Sequence, residues 1–178
     1  MIIDSMEQVT DLKEKILKNA ELTYEYFNKR MSTASPIDIF RDMKFSKNGL
    51  DPIKGTPLNF IEQLNQMFSD LVVVAALEDL IMKYPDKQFE INFGAKSGLD
   101  IQSCDETVVA ECFAVTSAKS NDKLRKDSKK LSNQAKDQEK YIYFYSENDV
   151  DEKLKRTYQS FPEITFKRIK DFNDYSQR

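Results

Sequence analysis

The chain has 178 residues, 40% of them hydrophobic and 32% charged, with a net charge of −3 and only four glycines and five prolines. These values suit one packed domain over residues 1–178 and exclude a disordered chain. No histidine is present, which excludes Ser-His-Asp and Cys-His catalysis and leaves carboxylates, lysines, tyrosines or a hard metal ion for any chemistry.

In chain order, residues 5–31 carry apolar side chains at helical spacing (Val9, Leu12, Ile16, Ala20, Phe27), with Ser5 as the N-cap. Pro36 starts a short second helix to about Met43, and a loop holding Gly49 and Pro52 follows. Thr56 and Pro57 read as N-cap and N1 of a long helix ending at Lys83, whose stretch 71–77 is apolar on every side, as for a helix buried against a sheet. After Pro85 the period falls to two. Strands are expected at 88–93, 99–103 and 107–116, with a turn at Cys104, Asp105 and Glu106 making the last two an antiparallel hairpin, the third strand being central. A helix capped by Ser120, Asn121 or Asp122 then places Leu124, Ser128, Leu131 and Ala135 on one face. A strand at 141–145, a helix at 150–161, a strand at 164–169 and a polar tail complete the order. The fold class is therefore α/β with a mixed (α+β) sheet.

The seven-residue apolar block at 71–77 is too short to span a bilayer, and no signal-like segment opens the chain, so a cytoplasmic protein with no membrane partner is expected. Cys104 and Cys112, without histidine, read as reduced thiols rather than zinc ligands. From Lys119 to Lys140, eight Lys or Arg stand against four Asp or Glu, which is either a phosphate-binding face or a solvated helix surface.

Asp100 and Glu111 each interrupt a strand. Alternation and the hairpin can bring them to one side, where two neighbouring carboxylates are costly unless a cation lies between them. Mg²⁺ (or Mn²⁺) takes such oxygen ligands. The plain alternative is Asp100 in water at a strand end and Glu111 paired with a lysine of the next helix.

The run Gly98-Leu99-Asp100, then Glu111 within an apolar strand, then a lysine-rich helix and a further strand, resembles the restriction-endonuclease-like PD-(D/E)xK nuclease superfamily. The likeness implies a helix-β-β-β-helix-β core over residues 56–146, an N-terminal helical extension over 1–55 and a C-terminal helix-strand extension over 147–178. It implies that Asp100 and Glu111 are catalytic and hold Mg²⁺ or Mn²⁺ at a scissile phosphate, aided by a lysine two positions after the glutamate. Phe113 occupies that position, so Lys119 or Lys123 becomes the candidate replacement. Glu62, from the preceding helix, is a candidate third metal ligand, its plain reading being a charge that complements the helix dipole. Lys123, Arg125, Lys126 and Lys130 would contact nucleic acid backbone.

The expected function is metal-dependent hydrolysis of nucleic acid, with double-stranded DNA as partner, by a restriction-type or related endonuclease. The alternative is a catalytically inactive module of the same fold that binds a nucleic-acid or protein partner. A homodimer through the N-terminal helices, burying Tyr24 and Phe27, is compatible with both.

Overall fold

The computed structural model describes residues 1–94, 98–118, 122–148, 151–170 and 172. Ser5 caps α1 (Met6–Met31) as expected, its side chain accepting from the Gln8 N–H. Pro36 opens α2 (Pro36–Phe45) behind the N-cap Ser35. The chain begins with a strand too short for a periodicity to reveal, β1 (Ile2–Ile3).

The start of the long helix differs from expectation. Pro57 belongs to β3 (Pro57–Leu58), which pairs with β2 (Gly49–Leu50), and α3 (Phe60–Lys83) starts after Asn59, whose Oδ1 accepts from the Glu62 N–H at 2.9 Å. Thr and Asn are both good caps, so local chemistry alone does not choose between them. Tertiary contacts do: Gln63, one turn into α3, accepts from the Leu50 N–H at 2.9 Å and donates to the Asn19 carbonyl at 3.1 Å. That bridge ties α1, β2 and α3 together.

The main sheet has six strands, in the order β1, β4 (Phe89–Ile91), β5 (Ile101–Ser103), β6 (Val108–Val115), β7 (Glu139–Ser146) and β8 (Ile164–Ile169). β4, β5 and β6 form an antiparallel meander. β6 is central, as expected, and runs parallel to β7, which runs parallel to β8. Parallel neighbours need crossovers, supplied by α4 (Lys123–Ser132) and α5 (Asp151–Ser160). Both crossovers advance in one direction along the sheet, so the handedness rule puts α4 and α5 on the same face.

Alternation along β6 divides the core accordingly. Val108, Ala110 and Cys112 join α1 and α3 through Val9, Ile16, Leu71, Val74 and Leu77. Val109 and Phe113 point the other way, to Leu124 and Leu131 of α4 and Leu154 of α5. Each such buried aliphatic side chain contributes roughly 1.5 to 3 kcal/mol through apolar area removed from water. The result is an α/β fold with a mixed six-stranded sheet between helical layers. No helix among the described residues is long and apolar enough to cross a membrane.

Phe27 corrects one expectation. It is 3% exposed and packs on Phe60 at a ring-centroid distance of 4.8 Å, so it is covered within its own chain, whereas Tyr24 is 67% exposed.

Candidate functional site

Ile101 of β5 faces Ala110 of β6. Continuing that antiparallel register by one residue sets Asp100 opposite Glu111, and directly opposed residues point to the same side of a sheet. The register thus puts the two acids on one side of the sheet. Asp100 is fixed at both ends: its carbonyl accepts from the Asn92 N–H at 2.9 Å, and its Oδ2 accepts from the Cys112 N–H at 2.7 Å. Glu111 lies inside β6 and is 2% exposed.

Burial is the largest influence on both acids, pushing Asp100 up and Glu111 up to about 7, with the Asp100 charge adding to the Glu111 shift. Two basic residues of α4 answer them. The Lys130 ammonium lies 2.5 Å from Glu111 Oε1, and Lys130 also donates to the Gly98 carbonyl. Lys123 contacts both oxygens of Asp127, at 3.0 and 2.9 Å, and its ammonium stands 5.6 Å from the centre of the Phe113 ring. Burial opposes the Lys123 charge, but Asp127 and the fields of Asp100 and Glu111 outweigh it and hold the group above its ordinary range.

Phe113 itself is core. It is 3% exposed and stacks on Phe144 at 5.5 Å. A lysine there would bury an ammonium against the Phe144 ring in the core beneath α4, whereas Lys123 brings its ammonium over the Phe113 ring from the first turn of the helix.

Asp100, Phe113 and Lys123 line a cavity of about 290 Å³ together with Asp70, Asn65 and Asn92. Asp70 was not singled out by the sequence. It is 7% exposed, and burial, then Asp51 and Asp100, push it up to about 7. Asp127 was also missed; it is buried and pushed up by desolvation against the pull of Lys123. Both acids carry a readable signal, since each lies on the apolar stripe of its helix: Asp70 with Val73, Val74 and Leu77, and Asp127 with Leu124, Ser128 and Leu131.

The other expected residues fall elsewhere. Glu62 is exposed at the start of α3 and takes no part in the cavity wall, so the acid that α3 brings to the site is Asp70, eight residues further on. Lys119 lies outside the described residues, as do Ser120 and Asn121 among the proposed caps. Asp122 is the N-cap of α4, in a left-handed conformation with φ 55° and no side-chain capping bond. Arg125 and Lys126 are exposed, whereas Lys130 is directed to Glu111. Cys104 and Cys112 are free thiols, and burial raises Cys112 well above the usual thiol range.

Among the described residues no three acidic or thiol side chains converge as a complete cation cage. Mg²⁺ is commonly held by one or two carboxylates, with water and substrate phosphate completing its shell, so the hard oxygen donors of Asp100 and Glu111 fit that ion's chemistry. The contact between Lys130 and Glu111 puts an ammonium where such a positive charge would be held. No family model matches the chain, and comparisons with curated proteins and with solved structures found no match.

Proposed function

We propose that the chain is a Mg²⁺-dependent (or Mn²⁺-dependent) endonuclease with a restriction-endonuclease-like core, acting on double-stranded DNA. The observation that carries this reading is the β5–β6 register, which carried one residue past Ile101 opposes Asp100 to Glu111, with Lys123 brought over the Phe113 ring in the neighbourhood of the expected motif lysine. The element order supports it as well: α3, the meander β4-β5-β6, then α4 leading to the parallel strand β7.

Asp100 and Glu111 would hold the ion, which supplies a nucleophilic water at neutral pH and Lewis-acid stabilisation of charge on the phosphate. Lys123 adds fixed positive charge beside the reacting phosphate, and Asp127 holds that ammonium in place. Lys130 would give up Glu111 to the ion and become free to meet the DNA backbone. Asn65 and Asn92 offer neutral hydrogen-bonding groups on the cavity wall.

A second reading is favoured by one contact. Lys130 already neutralises Glu111, the pairing expected of a fold that has kept its shape and lost its chemistry. Incubating supercoiled plasmid with the protein and Mg²⁺ or Mn²⁺ separates the two. The nuclease reading expects nicked or linear product from the native protein and none from an Asp100→Ala, Glu111→Ala variant. Product that persists in the variant, or none from either protein, rejects it.

A further inference from the structure

The gap between α4 and α5 holds a second site of a different kind. It is a cavity of about 290 Å³ lined by Arg125 and Lys129 of α4, Arg156, Thr157 and Ser160 of α5, and Phe161. Arg125 and Lys129 are four residues apart, as are Arg156 and Ser160, so each helix turns one edge toward the gap. Three positive charges therefore meet in one concavity, and among the described residues no carboxylate lines it. Among the described residues none of the three forms an ion pair with an acid. Lys123 and Lys130, on the same helix, are both so paired. Gathered like charges repel one another and are relieved by an anion that joins them.

We propose that this cleft binds a backbone phosphate of nucleic acid, as an anchor separate from the acid cavity. The inference rests on the endonuclease reading for its choice of ligand. Two guanidinium groups can each offer a fork of N–H donors to phosphate oxygens, and the Lys129 ammonium adds a point charge. The Thr157 hydroxyl can donate as well. Ser160 is committed, donating its hydroxyl to the Arg156 carbonyl at 2.8 Å, and so shapes the site rather than binding the anion. α4 thus presents Lys123, Asp127 and Lys130 toward the acids and Arg125 and Lys129 toward α5. A helix is about 10 to 12 Å across with its side chains, which matches about three nucleotide steps at roughly 3.4 Å per step along one strand. A strand crossing α4 would meet the anchor about three nucleotides from the phosphate at the acids.

The test is binding of a fluorescently labelled DNA duplex in EDTA, followed by anisotropy over a range of salt, so that no cleavage is needed. An Arg125→Ala, Arg156→Ala variant is expected to bind roughly ten-fold more weakly, from loss of charge-assisted hydrogen bonds, with a salt slope shallower by about 1. Arg156→Lys, which keeps the charge, should retain the native slope while losing part of the affinity, showing that the fold is intact. Native affinity and slope in the double variant would overturn the anchor, as would absence of duplex binding by the native protein at low salt. The plasmid assay keeps the two ideas apart. Cleavage by native protein with unchanged binding in the double variant removes the anchor alone, whereas variant-sensitive binding without cleavage keeps the anchor and removes the endonuclease.

Discussion

Two clusters of charged and hydrogen-bonding side chains adjoin the same sheet, and they are built in opposite ways. One lies at the C-terminal half of α3. Asp79 accepts from the Tyr143 hydroxyl and receives Lys167 at 2.7 and 2.6 Å, while Glu139 receives Tyr84, Tyr141 at 2.9 Å and Lys83 at 3.1 Å. Each acid there is answered by a cation and by hydroxyl donors, and Tyr84, with Lys83 and Tyr141 behind it, holds Glu139 below the usual carboxylate range. The other cluster has four acids, Asp70, Asp100, Glu111 and Asp127, against Lys123 and Lys130, and burial pushes all four acids up. A balanced network holds elements together, whereas a surplus of desolvated acid next to a cavity is the arrangement on which the proposed cation site rests.

The largest expected effect breaks the comparison on the kinetic side. On the proposed nuclease reading Lys123→Ala should lower the cleavage rate on the order of 100-fold, because it removes charge stabilisation near the phosphate. The melting temperature should fall as well, since buried Asp127 loses the cation that contacts both its oxygens, so the rate is compared at a temperature where the variant stays folded. An unchanged rate would assign the lysine role elsewhere.

The next effect concerns stability and pH. Glu111 has its folded value raised to about 7 from an ordinary 4.5. A raised acid favours the folded state only while protonated, so stability falls as pH rises from about 4.5 through 7 and stays low above it. At pH 8 without metal the ionised Glu111 costs at most roughly 3 kcal/mol. Glu111→Gln should therefore melt several degrees higher than the native protein at pH 8, on the order of 3 to 8 °C, with the gap closing near pH 5. A variant that melts lower at pH 8 would mean that the Lys130 contact outweighs the desolvation.

The smallest effect belongs to the balanced cluster. Tyr143→Phe removes one hydroxyl donor from Asp79 but leaves Lys167 in place, so it should cost about 1 kcal/mol by chemical denaturation and leave plasmid cleavage unchanged. A loss of cleavage would join the two clusters functionally.

Much of the scaffold was legible because its signals are local. The period-two runs, the short turn at Cys104 to Glu106 and the apolar run of β6 together fix a hairpin, and the hairpin fixes the register that opposes Asp100 to Glu111. Lys123 was readable from its place in the first turn of the helix leaving β6. What escaped depends on contacts distant in sequence. β1 is two residues long and exists through its pairing with Glu90 and Phe89. The start of α3 is set by Gln63 reaching Asn19, a contact 44 residues away. Asp70 and Asp127 escaped for another reason: Asp70 sits at the polar edge of the apolar run 71–77 and Asp127 among lysines and a serine, and only projection around the helix puts each on the buried stripe. Glu62, which the resemblance offers as a third ligand, is turned to solvent.

The central claim is that Asp100 and Glu111 form a seat for a divalent cation. Calorimetric titration of Mn²⁺ into the metal-free protein at pH 7, repeated in two buffers of different ionisation heat, tests it directly. Binding should release protons, because a ligand carboxyl with a value near 7 is partly protonated before the ion arrives, and both the binding heat and the proton release should vanish in the Asp100→Ala, Glu111→Ala variant. No binding by the native protein, or equal binding by the variant, would contradict the claim.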